Sequence, residues 1–371
     1  MGRDIPAAML VLIGEQTIPN AIPVRQYPGV IKTVEMIYSK VTEDAASHLA
    51  RWLAKQGVKV VPRPKLMPAT EVHSFEAQFR LAQTILQDYR TGEVLVNITG
   101  GTKIMSLAAS EAARGRYPTV YVDTENDHLW WIQPGGPRKE KLQARFAVKD
   151  FFLLHGQPWR PTLPPSPGEQ EVARVLAANF GDLEPLLRFL KNRSLNAAFQ
   201  RSGSPLEDSF LQKCQQAGLL SREDSRWRMA SASFFHQNHW HECLAYAACR
   251  DAGADDVQWR VPVTGTDTDL DVAATSGALM VICSCKSGQF KNSHLDELNA
   301  QARHVGGAFC KKAIILTEAV PFQRHTDRRA VRQARARLED RARTLHVQPF
   351  YWTDYPDLSG KLKALLSAAR G

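Results

Sequence analysis

Cysteine is scarce in this chain and does not cluster. The six cysteines, at 214, 243, 249, 283, 285 and 310, form no C-x-x-C pair, so the sequence supports neither a disulfide framework nor a zinc site. Cys283 and Cys285 alternate along one apolar run and are expected to be small buried residues. A reducing cytoplasm suits this usage. Long hydrophobic runs are missing as well. No stretch approaches the roughly 18 apolar residues of a membrane span. The short apolar run in MGRDIPAAMLVLIGEQ passes into a strand and turn with no cleavage site, so neither a secretory signal nor a membrane partner is expected. Pro6 stands where N-myristoylation needs Ser or Thr. Two nucleotide fingerprints, G-x-x-x-x-G-K-[ST] and G-x-G-x-x-G, are absent, which argues against a P-loop enzyme and against a dinucleotide-dependent one. Negative charge is the last shortage. Against 47 Lys and Arg there are 38 Asp and Glu, a net charge of +9 with a pI of about 9.3, which favours polyanionic partners. The densest basic run, RHTDRRAVRQARARLEDRAR at 324–343, is by itself a solvated helix face.

What is present is an α/β chain of 371 residues, 44% hydrophobic, long enough for two or three domains with real cores. Strands are expected at 7–14, 31–38, 58–61, 94–98 and 119–122, and helices at 42–56, 74–89 and 103–114. Alternation of this kind gives a parallel sheet with helices on both faces. The segment PWRPTLPPSPG at 158–168 is the best linker. Short helices with a basic flavour follow to about residue 228, a small helical or winged-helix connector. From residue 231 a compact α/β pattern begins: a helix at 234–250, strands at 257–263, 270–274 and 278–286, a helix at 295–306, a strand at 312–317, the Arg-rich helix and a last strand at 345–351. The expected division is therefore 1–135, 136–230 and 231–371.

The stretch VLVNITGGTKIMSLAAS carries the first candidate site. A β-branched run breaks at Gly100 and Gly101 and enters an Ala-rich helix through Thr102 and Lys103. Such a strand, glycine turn and helix N-terminus form a backbone nest for anions, and it can equally be a glycine-tightened turn with a capping Thr. Thr99, Thr102 and Lys103 add hydroxyls and a charge. The loop after the first strand, Gly14, Glu15, Gln16 and Thr17, falls at the same end of the sheet, where ligands bind in such folds.

The second candidate site is the hairpin TDTDLDVAATSGALMVICSCKSG. A strand bearing an Asp, followed across a turn by a strand that ends in an acidic residue, a spacer and Lys, holds Mg²⁺ or Mn²⁺ for phosphodiester hydrolysis. Asp271 and Lys286 take the Asp and Lys positions, and Ser284 stands where the second carboxylate belongs. If 275–278 is a four-residue turn, Asp271 faces Ile282, Asp269 faces Ser284, and Asp269, Asp271, Ser284 and Lys286 share one face. A one-residue slip would break that arrangement. Glu242, expected mid-helix on the stripe Phe235, Asn238, Glu242, Tyr246 and Cys249, needs a partner. Either a metal at the hairpin or a neighbouring Arg or His would supply it. His236, His239 and His241 are expected on the helix surface or behind the ligands.

Together the two constellations resemble one family. NITGGTK after a strand is similar to the signature of the CRISPR-associated Rossmann-fold (CARF) sensor domain. The Glu242 helix, the Asp271 to Lys286 hairpin and the helix ending at Gly306 and Gly307 are similar to a PD-(D/E)xK restriction-endonuclease-like domain. The combination resembles the cyclic-tetra-adenylate-activated ancillary nucleases of type III CRISPR systems, over residues 1–135 and 231–355. The resemblance implies a cytoplasmic homodimer whose paired Rossmann domains bind one cyclic oligoadenylate as activator. The nuclease domains would then cut DNA or RNA with Mn²⁺ or Mg²⁺. It assigns Asn97, Thr99, Gly100, Gly101, Thr102 and Lys103, with Gly14, Glu15, Gln16 and Thr17, to the messenger. Cleavage falls to Glu242, Asp271 and Lys286, with Glu242, Asp271 and Asp269 toward the metal. Ser284 departs from the family's carboxylate. Either Asp269 and Glu242 complete the site, or the nuclease is weakened or dead, or Ser284 is a substitution that traps an intact complex; a chain that senses and binds nucleic acid without cutting is the alternative reading. A ring nuclease, in which the sensor domain cleaves its own ligand, is a third class. Arg341 and His346 match the R-x4-H spacing of HEPN ribonucleases, but His346 falls at an expected strand.

Overall fold

The computed structural model describes residues 5–61, 65–67, 71–124, 126–133, 136–193, 198–200, 203–265, 269–287, 291–317 and 328–367. Its first unit is a sheet of eight strands: β1 (Ala8–Leu12), β2 (Thr33–Ser39), β3 (Lys59–Val60), β4 (Lys65–Met67), β5 (Val94–Asn97), β6 (Thr119–Asp123), β7 (His128–Ile132) and β8 (Arg138–Lys141). The order is β3-β2-β1-β5-β6-β7-β8, with β4 also on β2. All pairs are parallel except β6 with β7 and β7 with β8. The central strands β1 and β5 are buried on both faces, so they are continuous apolar runs rather than alternating ones. The chain moves from β1 outward to β3, then crosses to β5 on the other side of β1. That reversal opens a crevice at the carboxyl ends of β1 and β5.

Helices α1 (Ile18–Gln26), α2 (Glu43–Lys55), α3 (Phe75–Leu86) and α4 (Lys103–Ala113) cover this sheet. Ser74 and Thr102 cap α3 and α4 by accepting from the amides of Ala77 and Met105. The sequence expectation misses α1 and the β7–β8 hairpin. In α1, residues 18–24 are all buried, so no apolar stripe exists to betray a helix, and Pro19 sits in the first turn where proline is tolerated.

A short helix α5 (Val148–Leu154) leads to α6 (Pro167–Ala178), α7 (Phe180–Lys191), α8 (Pro205–Gln216) and the hairpin of β9 (Leu220–Glu223) and β10 (Arg226–Met229). Then follow α9 (Ala232–His236), α10 (His239–Asp251), β11 (Asp256–Val261), β12 (Leu270–Ser276), β13 (Leu279–Lys286), α11 (Ser293–Val305), β14 (Cys310–Leu316), α12 (Arg328–Thr344), β15 (Val347–Tyr351) and α13 (Leu358–Ser367). The second sheet, β11-β12-β13-β14-β15, is antiparallel at β11-β12-β13 and parallel at β13-β14-β15. Leu176, Leu183, Phe210 and Trp227 share one apolar cluster with α10 and this sheet. A second cluster runs from Met9 and Val34 through Phe146, Phe151 and Phe152 to Val261, Ile282 and Ile314, joining the two sheets. Phe146 N donates to Gly277 O at 3.0 Å, and Val148 N to Asp256 Oδ2 at 2.9 Å.

Three expectations are corrected here. The helix expected over 234–250 is two helices, broken where Asn238 takes a left-handed φ of 58°. Glu242 therefore lies in the first turn of α10, not mid-helix, and Phe235 and Asn238 do not continue its stripe. His239 and His241 are buried, which removes the surface alternative for these two and leaves a place behind the ligands. The hairpin closes through Gly277 and Ala278, with Ser276 opposite Leu279 and Val272 opposite Cys283. The expected pairing is thus wrong by two residues. Because the shift is even, every side chain keeps its expected face. The first four residues of the 324–343 basic run lie outside the described residues. Within α12, Leu338 and Ala342 are buried while Arg341 pairs with Asp296 at 2.6 Å. His346 sits at φ 52° just ahead of β15, outside any helix.

Candidate functional site

A cavity of about 610 Å³ fills the switch-point crevice. Gly14, Glu15 and Gln16 line it from the loop after β1, and Thr99, Gly100, Gly101 and Thr102 from the loop after β5. Ser39, Lys40, Val41 and Thr42 close it beyond β2, with Val72 and His73 ahead of α3. The residues beyond β2 and ahead of α3 were not anticipated; they carry no glycine turn or charge pattern that would single them out.

Three of the expected binding residues do not line the cavity. Thr17 is buried, and its hydroxyl donates to Leu154 O at 2.9 Å. Asn97 is fully buried and acts as a brace. Its Nδ2 donates to Pro19 O at 3.0 Å, and its Oδ1 accepts from the Thr99 amide at 3.1 Å and hydroxyl at 2.7 Å. Lys103 opens α4 on the exposed side and is outside the lining. Gly100 is explained by packing: a Cβ there would overlap the Leu12 carbonyl oxygen and crowd the Asn20 amide, which itself donates to Leu12 O at 2.9 Å. The turn after β5 is thus pressed against the end of β1, which brings both loops to one crevice.

The second cavity, about 200 Å³, is lined by Glu242, Arg260, Asp269, Asp271, Ser284 and Lys286, together with Glu297 and Leu298 of α11. The hairpin residues expected on one face all line it. Asp271 Oδ2 accepts from Cys285 N at 2.6 Å and lies 3.4 Å from Ser284 Oγ. Glu242 Oε2 accepts from Trp259 Nε1 at 3.0 Å and sits 3.6 Å from Arg260 Nε. Arg260 holds a left-handed φ of 52° within β11, a backbone state costly for a non-glycine residue and common where strain serves a site. Glu297 is a site residue that the sequence expectation lacks. Its only signal is a place one turn before Gln301 and next to Leu298 on α11, which cannot be set against the hairpin without the fold.

Burial, then the neighbouring charge of Asp271, raises the Glu242 carboxyl to about 7, against the pull of Arg260, Trp259 and Lys286. Burial also raises Asp271, while the Cys285 amide and Lys286 pull it down. Two part-buried carboxylates that each resist charge are a donor set suited to a divalent cation. Among the described residues, no three His, Cys, Asp or Glu side chains are gathered closely enough to hold an ion alone. Mg²⁺ commonly takes one or two carboxylates and completes its shell with water and substrate phosphate, so Glu242 and Asp271 fit that role.

The raised Glu242 has a measurable consequence. Burial holds it above the ordinary glutamate value of 4.5, so the protonated form is favoured on folding and its stabilisation is lost as pH rises through about 7. Glu242→Gln should therefore gain thermal stability relative to the parent, in metal-free buffer, as pH is raised from 4.5 to about 7. Melting curves of the two proteins across that window check it, and a constant difference between them would contradict the assignment.

Residues 8–151 match the family model of the Card1 CARF domain, so the N-terminal unit is a CARF domain. The whole chain is similar in fold to protein VC1899 from Vibrio cholerae, with a TM-score of 0.78, 19% identity, and coverage of 98% of this chain and 99% of that one. It is also similar to Can2 from Sulfobacillus thermosulfidooxidans in complex with cyclic tetra-adenylate, with a TM-score of 0.71, 18% identity and 96% coverage of both chains. A type III CRISPR defence DNA nuclease activated by cyclic oligoadenylate matches at a TM-score of 0.54 and 16% identity, over 86% of this chain and 47% of that one. A search of curated proteins finds no match. No described helix is long and apolar enough to cross a membrane.

Proposed function

We propose that this chain is a cyclic-oligoadenylate-gated nuclease of the PD-(D/E)xK type. The observation that carries the proposal is the convergence of Glu242, Asp271, Ser284 and Lys286 on one cavity behind a CARF crevice in the same chain. The crevice would hold cyclic tetra-adenylate, as in the Can2 complex, with the Thr99 to Thr102 turn on a phosphate and His73 and Val72 beside a base. A homodimer would complete the ring site. Its support is that Val41, which lines this crevice, is exposed, as are Phe75 at the start of α3 and Leu107 on α4, large apolar side chains that a second copy could cover.

Glu242 and Asp271 would hold Mn²⁺ or Mg²⁺. The bound ion would polarise the scissile phosphate and lower the pKa of water. Lys286 places a cation at the cavity wall, where negative charge develops as water adds to phosphorus and the ester P–O bond breaks. Ser284 cannot supply the carboxylate missing from its position, but Asp269 and Glu297 put negative charge in the same cavity. Glu297→Gln should then lower cleavage at least as much as Asp269→Asn. Single-turnover rates on a labelled strand check this.

Gating needs a physical link, and Gln16 provides one. Its side chain lines the messenger crevice and also presses on Gly307, where an added Cβ would overlap the Gln16 amide. Gln16 Oε1 is buried with no hydrogen-bond partner, a state that a ligand or a shift of the loop would relieve. Gly307 follows α11, the helix that brings Glu297 and Leu298 to the nuclease cavity. Gln16→Ala should keep messenger binding within a few-fold and lower messenger-stimulated cleavage by at least tenfold. Calorimetry and a plasmid assay read the two effects separately, and stimulation equal to the parent's would remove Gln16 from the link.

Ser284 favours one other reading, a sensor that binds nucleic acid under messenger control without cutting it. The experiment that separates the two is cleavage by the parent and by Ser284→Glu with messenger and Mn²⁺. Cleavage by either supports a nuclease fold in use, and silence from both supports the sensor.

A further inference from the structure

A third cavity, about 410 Å³, is lined by Ser287, the residue after Lys286, and is not used by the chemistry above. It opens between α7, the start of α10 and the residues just after β13 and β14, Ser287 and Thr317. Thr317 N donates to Lys286 O at 3.2 Å, so the cavity shares its wall with the catalytic strand. We propose that it holds one nucleotide of the strand being cut, with the base on Trp352 and the backbone phosphate on Lys191 and Arg188. The inference rests on the nuclease reading and deepens it by naming how the substrate is gripped.

Three observations support this occupant. The floor is aromatic: Trp240 stacks on Phe180 with centroids 5.6 Å apart, and Phe180 meets Trp352 at 6.1 Å. Trp352 is only part-buried and lines the cavity, a position from which an aromatic side chain can stack on a base. Trp240 is fully buried, yet its indole Nε1 has no hydrogen-bond partner. A buried donor left unmade is costly, and a base edge or ribose oxygen would satisfy it. The rim is net positive. Lys191 reaches Asn238 Oδ1 at 3.2 Å, a neutral partner, so its charge is not neutralised there. Arg188 pairs through Nε with Glu184 at 2.5 Å, and the guanidinium has further N–H donors. Asn238, which sets the rim, is the left-handed residue that splits α9 from α10. The break in that helix therefore shapes both this cavity and the position of Glu242.

The test uses the full chain carrying Asp271→Asn, saturated with cyclic tetra-adenylate, and fluorescein-labelled single-stranded DNA and RNA. Affinity is read by anisotropy over a range of salt concentrations. Trp352→Ala should weaken the better-bound strand by about tenfold, with most of the loss recovered by Trp352→Phe. Lys191→Ala should reduce the salt slope by about one ion. Messenger affinity, measured on the same variants, should not move. Parent-like affinity and salt slope in Trp352→Ala and Lys191→Ala would overturn the subsite while leaving the nuclease reading intact. If the Asp271→Asn parent binds neither strand, the nuclease reading falls and the subsite with it.

Discussion

Asp271→Asn is expected to lower messenger-stimulated cleavage by about 10³-fold, the scale of losing a preorganised charged group at a reacting phosphate. The substitution is close to isosteric. The side-chain oxygen can still accept from Cys285 N, which now lies 2.6 Å from Oδ2. What changes is charge. Asp271 is part-buried, Lys286 lies in the same cavity, and Glu242 is raised partly by the Asp271 charge. Removing that charge should let Glu242 ionise at lower pH while weakening the hold on a cation. Messenger binding should stay at the parent level, because the crevice of the first sheet is built from other elements. A rate within tenfold of the parent would place the chemistry elsewhere.

Gly100→Ala is expected to abolish messenger binding and to destabilise the chain. The added methyl would meet backbone, the Leu12 carbonyl, and not a side chain that can turn aside. Overpacking of this kind costs about 1–3 kcal/mol. For a chain of this size that is a fall of several degrees in Tm, roughly 2–4 °C for each kcal/mol. Binding should suffer more than stability. The same turn carries Thr99 and Thr102, and moving it off the end of β1 opens the crevice. Scanning calorimetry with and without cyclic tetra-adenylate reads both effects: the parent should gain Tm with ligand and the variant should not. A ligand-induced rise in Gly100→Ala equal to the parent's would show that the close approach is not needed.

The parts of the molecule written in the sequence are those with a period or a stop signal. Helices α2 and α3 show amphipathic stripes with an acidic first turn or a capping Ser, and β1 and β5 are apolar runs ended by glycine. Helix α1 has no such mark because all its faces are covered. The carboxylate hairpin was legible through parity alone. Its turn length was not, and the two agree only because the error was even. Thr17, Asn97 and Lys103 belong to the right motif yet sit outside the cavity, since sequence adjacency says nothing about which side of a turn faces a ligand. Arg260, Glu297 and the Gln16 to Gly307 contact depend on elements far apart in the chain, and no local pattern carries them.

The most direct measurement is a plasmid assay on the purified full chain with Mn²⁺, with and without cyclic tetra-adenylate. Cutting that requires both, and that disappears with Asp271→Asn and with Lys286→Ala, is the expected result. No cutting with both present, and none after Ser284→Glu, would contradict the account.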